Sequence, residues 1–415
     1  MVGLIGHKLK HSLSKIIHEK IVDRNYQLIE LTKVDDFLNK KEFEAINVTI
    51  PYKESVLPFL QNLDPLAKEI GSVNTIVNRK GILHGYNTDY PGLEAMLKHF
   101  KIDLQGKDVL ILGNGATAKM VELLSKKHNA SSVRFVVRTL KQSDEILVSS
   151  LTELDDVDLI INTTPVGLYP ATDAKPFADL SFFPNTKVVI DLIYNPLSTR
   201  LLLDAKKRGL IALNGLYMLV AQAVYAEEIF LQKILDSSLI DKIYQELMYE
   251  SINIVLIGMP TSGKSTIGRL LSYELKRPFY DIDTLVEETF GNIASIFSEH
   301  GEVQFREYET LTTQEIAKKQ GVVISTGGGI IKKIQNIDYL KQNGILVFIN
   351  RDLETLIHQD YSNRPLVKSL QDLRTLHQQR YQLYLDYSDI IVDNNTTFSD
   401  VIQTIKEKVH EIISH

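Results

Sequence analysis

At 415 residues the chain is longer than one hydrophobic core usually serves, so several domains of roughly 100 to 200 residues are expected. Hydrophobic residues at 44% and charged residues at 24% match ordinary globular usage, which excludes a disordered or low-complexity protein. A net charge of −6 with no basic run argues against nucleic acid as a partner, and zero cysteines exclude disulfides, thiolate nucleophiles and cysteine-ligated metal sites. No apolar run approaches the roughly 18 residues of a membrane helix. The opening MVGLIGHKLKHS breaks its apolar stretch at His7 and Lys8, so neither a membrane partner nor an export signal is expected and the cytoplasm is the expected location.

In chain order, polar turns come first. His11-Ser12-Leu13-Ser14 places two hydroxyls at alternate positions, able to donate to a ligand carboxylate. Asn47-Val48-Thr49-Ile50-Pro51-Tyr52-Lys53 gathers an amide, a hydroxyl and an ammonium. Gly71-Ser72-Val73-Asn74-Thr75 and Gly85-Tyr86-Asn87-Thr88-Asp89 add two asparagine-bearing turns, the second with a carboxylate. Any one of these alone is ordinarily just a turn.

The apolar run Val109-Leu110-Ile111-Leu112 then leads into Gly113-Asn114-Gly115-Ala116-Thr117-Ala118 and the helical Lys119-Met120-Val121-Glu122. A strand before and a helix after make G-x-G-x-x-[GA] a dinucleotide fingerprint, with a ligand-free tight turn as its alternative. The following strand, Val133 to Val137, ends in Arg138-Thr139. An NAD-specific fold places a carboxylate there, and a cation favours the 2′-phosphate of NADP(H). Further short apolar runs at Leu159-Ile160-Ile161 and Val188-Val189-Ile190, separated by helical stretches, predict an α/β chain with mainly parallel sheets.

A helical pattern ending near Glu246-Leu247-Met248 meets a new strand, Ile252 to Ile257, without a Gly, Pro or Ser-rich linker. Gly258-Met259-Pro260-Thr261-Ser262-Gly263-Lys264-Ser265 then satisfies G-x-x-x-x-G-K-[ST] and opens the helix that begins Thr266-Ile267. Backbone N–H groups there wrap phosphate oxygens, Lys264 reaches the outer phosphates of ATP and the Ser265 hydroxyl suits Mg²⁺. Phe279-Tyr280-Asp281-Ile282-Asp283 reads as a strand end whose two carboxylates point the same way, one for a metal and one for an attacking hydroxyl. Gly327-Gly328-Gly329 offers bare backbone to a small ligand, and Arg306, Arg364 and Arg380 supply guanidinium groups suited to carboxylate or phosphate.

Taken together, the order P-loop, D-x-D, F-R, T-G-G-G, R-P-L and R-Y from about 252 to 412 resembles shikimate kinase. The upstream blocks resemble shikimate dehydrogenase from Val2 to about Leu247, the match continuing through Asn162-Thr163-Thr164-Pro165, Asp191-Leu192-Ile193-Tyr194-Asn195-Pro196 and the stretch from Asn214 to Gln222. The dehydrogenase resemblance implies Ser12 and Ser14 on the substrate carboxylate and Thr49, Asn74, Asp89, Tyr194 and Gln222 around the ring. It also implies Lys53 with Asp89 as catalytic pair, and Leu192 and Gly215 on the nicotinamide side of NADP. The kinase resemblance implies Asp283 on the attacking hydroxyl, Asp281 near magnesium, Arg306, Gly328 and Arg380 on shikimate, and Arg364 in a lid over ATP. Departures from the two families are Val137 and the G-N-G-A turn in the first, and Ile357, seven residues before Arg364, in the second.

The expected layout is a two-lobed dehydrogenase followed by a P-loop α/β domain like the nucleoside monophosphate kinases. Residues 1–95, completed by 215–248, form the substrate lobe, 96–214 the Rossmann lobe and 250–415 the kinase. The implied function is bifunctional: NADPH-dependent reduction of 3-dehydroshikimate, then ATP- and Mg²⁺-dependent phosphorylation of shikimate, with only small-molecule partners and room for a homodimer. The alternatives are a quinate-preferring, NAD-using dehydrogenase fused to a related kinase, and a non-catalytic metabolite sensor.

Overall fold

A computed structural model describes residues 1–10, 12–143, 145–152, 154, 156–358 and 369–414. Three open sheets carry the chain, in the expected α/β class. The first contains Val2–Gly6 (β1), Tyr26–Glu30 (β2), Ala45–Val48 (β3), Asn62–Leu63 (β4), Thr75–Arg79 (β5) and Ile82–Tyr86 (β6), ordered β2-β1-β3-β5-β6-β4. β1 runs parallel to β2 and β3, whereas β5 is antiparallel to β3 and β6. β1 and β3 are buried from end to end. Both faces are therefore covered, which is why these strands read as near-continuous apolar runs rather than alternating ones. Asn47 in β3 breaks that rule.

The second sheet contains Asp108–Leu112 (β7), Ser132–Val137 (β8), Ile146–Leu147 (β9), Leu159–Asn162 (β10), Val188–Asp191 (β11) and Ile211–Asn214 (β12). Its order is β12-β11-β10-β7-β8-β9 and every pairing is parallel. The chain builds outward on one side of β7 and then on the other, so the crevice for a dinucleotide opens beyond the carboxyl end of β7. Gly113 occupies that place, at φ +102° in the left-handed region.

The third sheet is also fully parallel: Asn253–Ile257 (β13), Phe279–Asp281 (β14), Val323–Ser325 (β15), Gly344–Asn350 (β16) and Ile390–Asp393 (β17), ordered β14-β15-β13-β16-β17. The phosphate loop follows the central β13, again where the order of strands along the sheet reverses. Two apolar layers cover its faces, one with Ile257, Ile324, Phe348 and Tyr384, the other with Leu256, Ile267, Val347 and Ile405.

The chain divides into two compact units. The first is Met1–Leu168, Ala174–Asn195 and Asp204–Tyr244, with the first two sheets; the second is Tyr169–Asp173, Pro196–Leu203 and Gln245–His415, with the third. Within the second, the N–H groups of Leu197 and Ser198 donate to Asn343 Oδ1 at 3.0 Å and to the Gln342 carbonyl at 2.7 Å.

In the first unit the helices Asp89–His99 and Leu216–Leu231 approach so closely that a Cβ on Gly92 would lie 2.9 Å from Gln222 Cβ and 3.0 Å from the Met218 carbonyl. Glycine at 92 is what lets the two helices meet there. The second of these helices also carries Glu227, fully buried, whose carboxylate accepts from Arg24 Nη2 and lies 2.6 Å from His18 Nδ1. Burial holds the His18 imidazole below its ordinary range against the pull of Glu227, and the ring stacks on Tyr26 at 4.1 Å. Glu227→Ala leaves the Arg24 guanidinium without its counter-charge, and roughly 3 kcal/mol of stability should be lost, read from urea unfolding of the full-length protein.

Candidate active sites

The first unit brings a lysine and a carboxylate together from distant turns. Lys53 ends the turn after β3, its carbonyl accepting from Val73 N–H at 2.8 Å, and Asp89 sits in the first turn of Asp89–His99. The helix N-terminus sets positive potential beside it. Lys53 Nζ donates to Asp89 Oδ2 at 2.6 Å, with the two side chains 16% and 13% exposed. That is enclosed enough to strengthen the pair and open enough for a ligand to reach it. Thr88, preceding Asp89, donates its N–H to Asn74 Oδ1 at 2.8 Å. Gln222 faces the same helix at Gly92.

Around the turn before Ser14–Ile21, Ser12 Oγ donates to Ser14 Oγ at 3.1 Å and accepts from Ser14 N–H at 3.2 Å. Burial raises the Tyr194 phenol above its usual range, while a hydrogen bond from the Leu13 backbone works the other way. Tyr194 therefore reaches the serine turn from the end of β11. Gly215 follows β12, and a Cβ there would lie 2.2 Å from the Leu192 carbonyl, so these two backbone positions are also adjacent. Thr49 follows β3, its N–H donated to the Ile5 carbonyl of β1 at 3.0 Å.

At the dinucleotide turn, Gly115 caps the helix Ala116–Lys127, leaving the N–H groups of Ala116 and Thr117 at its positive end. Asn114 Nδ2 donates to Glu145 Oε1 at 3.0 Å and to the Thr139 carbonyl at 3.4 Å. The other Glu145 oxygen accepts from the N–H groups of Lys141 and Gln142. Burial disfavours the Glu145 charge, but these bonds outweigh it and hold the carboxyl below its usual range. The turn carrying Arg138 and Thr139 is thus tied to the glycine turn, with Arg138 over the Phe177 ring at 5.3 Å.

In the second unit the helix Lys264–Leu275 starts at Lys264, and Gly258 (φ +149°), Thr261 (+61°) and Gly263 (+95°) curl the loop ahead of it. Lys264 is buried, with Nζ donating to the carbonyls of Gly258 and Met259 at 3.0 and 2.8 Å. Asn394 Nδ2 donates to the Ser262 carbonyl at 2.7 Å from the end of β17. Ser265 Oγ donates to Asp281 Oδ2 at 2.6 Å. This hydroxyl and carboxylate are the hard oxygen donors that Mg²⁺ takes beside a nucleotide phosphate.

One expectation needs correcting. Asp281 and Asp283 do not share a strand face: β14 stops at Asp281, and Asp283 lies on the first turn of the helix Ile282–Phe290. The reason is capping, since Asp281 Oδ1 accepts from the N–H groups of Asp283 and Thr284 at 3.1 and 3.4 Å. Asp283 instead faces the glycine triplet, where a Cβ on Gly327 would lie 2.5 Å from its Oδ1 and one on Gly329 would lie 2.1 Å from Arg306 Nη2. Arg380 Nη1 donates to the Gly328 carbonyl at 2.9 Å, as does Tyr384 Oη. Asp283, Arg306, Gly328 and Arg380 are thereby collected around one stretch of bare backbone.

The comparisons with known proteins follow this division. The model of the shikimate dehydrogenase substrate binding domain matches residues 4–76, and that of shikimate kinase matches residues 260–410. The NADP(+) shikimate dehydrogenase of Clostridium perfringens (strain 13 / Type A) is 37% identical over 266 residues, 60% of this chain and 98% of that protein. The chain belongs to the shikimate dehydrogenase family. A shikimate kinase domain is fused behind it. Shikimate dehydrogenase 1 from Peptoclostridium difficile is 37% identical, over 59% of this chain and 97% of its own, with a TM-score of 0.56. A chorismate mutase/shikimate 5-dehydrogenase fusion protein from Clostridium acetobutylicum is 35% identical, over 59% and 96%, with a TM-score of 0.56.

Arg364 lies outside the described residues, as does the rest of Asn363-Arg364-Pro365-Leu366. Ile357, where the shikimate kinases often carry arginine, ends the helix Leu353–Ile357 and packs against the apolar layer of Phe348 and Leu356. The kinase domain holds one group that sequence reasoning passed over. Glu309, buried, receives Arg306 Nη1 on both oxygens at 2.9 Å, while Arg306 Nε and Nη2 reach Glu302. The three-residue helical spacing of Arg306 and Glu309 was the available signal. In the dehydrogenase, Glu145 gave none.

Burial, reinforced by the charge of Asp283, pushes the Glu309 carboxyl up to about 7 despite Arg306. A folded-state value above the ordinary 4.5 means that the folded chain holds a proton the unfolded chain releases between those values. Stability must then fall as pH rises through that window. The melting temperature of the wild type relative to Glu309→Gln should decline between about pH 4.5 and 7 and level off above; a constant gap would contradict the assignment.

Proposed function

We propose that the chain catalyses two consecutive steps, reduction of 3-dehydroshikimate to shikimate with NADPH and phosphorylation of shikimate at its 3-hydroxyl with ATP and Mg²⁺. The observation that carries this reading is the joining, in one chain, of a shikimate dehydrogenase to a shikimate kinase domain, the product of the first being the substrate of the second. The curated relatives are named for shikimate and NADP(+), which favours this reading over quinate and NAD.

In the reduction, NADPH supplies the hydride when bound. Lys53 gives its proton to the oxygen that becomes the alkoxide, and Asp89 orients the ammonium and recovers the charge balance as Lys53 is reprotonated from solvent. Ser12 and Ser14 donate to the substrate carboxylate, with Tyr194 beside them. Thr49, Asn74 and Gln222 fix the ring, so the reaction is confined to one carbonyl. The Arg138 turn would hold the 2′-phosphate of NADPH, and Leu192 and Gly215 would bound its nicotinamide side through backbone.

In the phosphorylation, Asp283 accepts the proton of the attacking hydroxyl. Arg306 and Arg380 hold the carboxylate against Gly328. Lys264, whose Nζ the carbonyls of Gly258 and Met259 hold within the loop, exchanges them for phosphate oxygens. Ser265 and Asp281 would hold magnesium, which would neutralise charge on the phosphates.

The two chemistries are separable by substitution. Lys53→Met should lower the reduction at least about 100-fold and leave phosphorylation of added shikimate intact, and Asp283→Asn should do the reverse. Steady-state assays of each half-reaction on the full-length variants decide it, and loss of both activities from either substitution would count against the assignment.

A further inference from the structure

Behind the Lys53–Asp89 pair lies a polar cluster inside an otherwise apolar sheet. Asn47, Asn74, Thr75 and Thr88 are 4%, 3%, 0% and 1% exposed, among Ile46, Val73 and Ile76. Polar groups so enclosed are costly unless each finds a partner, and here each does, with the Thr75 and Thr88 hydroxyls also 3.3 Å apart. Tyr26 Oη donates to Asn47 Oδ1 at 2.7 Å. Asn47 Nδ2 donates to Thr75 Oγ1 at 3.1 Å and to the Asn74 carbonyl at 3.3 Å. Thr75 Oγ1, having accepted that bond, donates to Asn74 Oδ1 at 3.0 Å.

Both amides have their polarity settled by backbone. A carbonyl can only accept, so the end of Asn47 that faces the Asn74 carbonyl is nitrogen. A backbone N–H can only donate, so the end of Asn74 that faces Thr88 N–H, at 2.8 Å, is oxygen. One N–H of Asn74 Nδ2 is taken by Thr88 Oγ1 at 3.0 Å. Its second N–H is the remaining valence.

We propose that Tyr26, Asn47 and Thr75 are positioning residues of the dehydrogenase, their hydrogen-bond chain holding Asn74, whose amide the Thr88 N–H orients, so that it meets the substrate as a donor to a ring hydroxyl oxygen. This rests on the reading of Asn74 as a substrate contact. The same chain reaches Asp89 through Thr88, so a slack Asn74 also loosens the start of the helix that presents the catalytic carboxylate. The Tyr26 end is anchored by stacking on His18 beside the buried Glu227. An isosteric loss of a single hydroxyl in the middle of the chain should therefore be felt at the substrate.

The test uses the full-length protein, with phosphorylation of shikimate by the same preparation as the control for folded concentration. Thr75→Val keeps the shape and removes the hydroxyl; Thr75→Ser keeps the hydroxyl. In the oxidative direction Thr75→Val should raise the KM for shikimate roughly tenfold and leave the KM for NADP⁺ within about twofold, with Thr75→Ser restoring the wild-type value. An unchanged shikimate KM in Thr75→Val, alongside a raised one in Asn74→Ala, would overturn the positioning role while leaving the site in place. An unchanged KM in Asn74→Ala would remove the substrate reading itself. Equal rises in both KM values with a lowered melting temperature would mark Thr75 as structural only and likewise overturn the proposal.

Discussion

Polar side chains taken out of water must satisfy one another, and both active sites rest on that constraint. In the dehydrogenase, Asn74 is held by Thr75 and Thr88 before any ligand arrives, and Lys53 by Asp89. In the kinase, Arg306 is gripped by Glu302 and Glu309, and Lys264 by the carbonyls of its own loop. Each binding group is thus fixed by a neighbour that asks nothing of the substrate, so little ordering remains to be done at the moment of binding. The arrangement also explains why both sites sit where parallel strands end and helices begin. Backbone N–H groups there satisfy the Asp281 carboxylate, and Asp89 and Asp283 lie in first turns at the positive ends of helices.

Much of this was legible in the sequence because the groups that touch ligands come in short local patterns. The glycine turn, the phosphate loop and the asparagine turns are each contiguous, and their order along the chain identifies the two families. What was not legible depends on partners distant in sequence. Glu145 meets Asn114 only because two strand ends adjoin, and Asn394 meets Ser262 only because β17 lies beyond β16. Asp283 was placed on a strand because D-x-D alternates in a strand, but Asp281 spends its carboxylate on capping and turns the chain into a helix one residue earlier. Asn47 read as part of a polar turn, whereas it is a buried strand residue whose amide is wholly engaged inside the protein.

The fusion has a chemical logic of its own. A ketone reduced to an alcohol in one unit supplies the nucleophile phosphorylated in the other, so each family assignment supports its neighbour. The two units use different means to recognise the same ring. In the proposed reading the dehydrogenase surrounds it with neutral hydroxyls and amides plus one ion pair, while the kinase grips it with two guanidinium groups, of which Arg306 is paired with Glu302 and the buried Glu309. Recognition by neutral donors suits a reaction in which charge develops on a single oxygen, and a cationic grip suits one that gathers negative charge around a phosphoryl group.

Product analysis by mass spectrometry tests the central claim most directly. Purified full-length protein is mixed with 3-dehydroshikimate, NADPH, ATP and Mg²⁺, with each cofactor omitted in turn. Shikimate should accumulate with NADPH alone, nothing should form with ATP alone, and shikimate 3-phosphate should form only when both are present. Phosphorylated product without NADPH, or no phosphorylated product with both, would contradict a bifunctional enzyme working in that order.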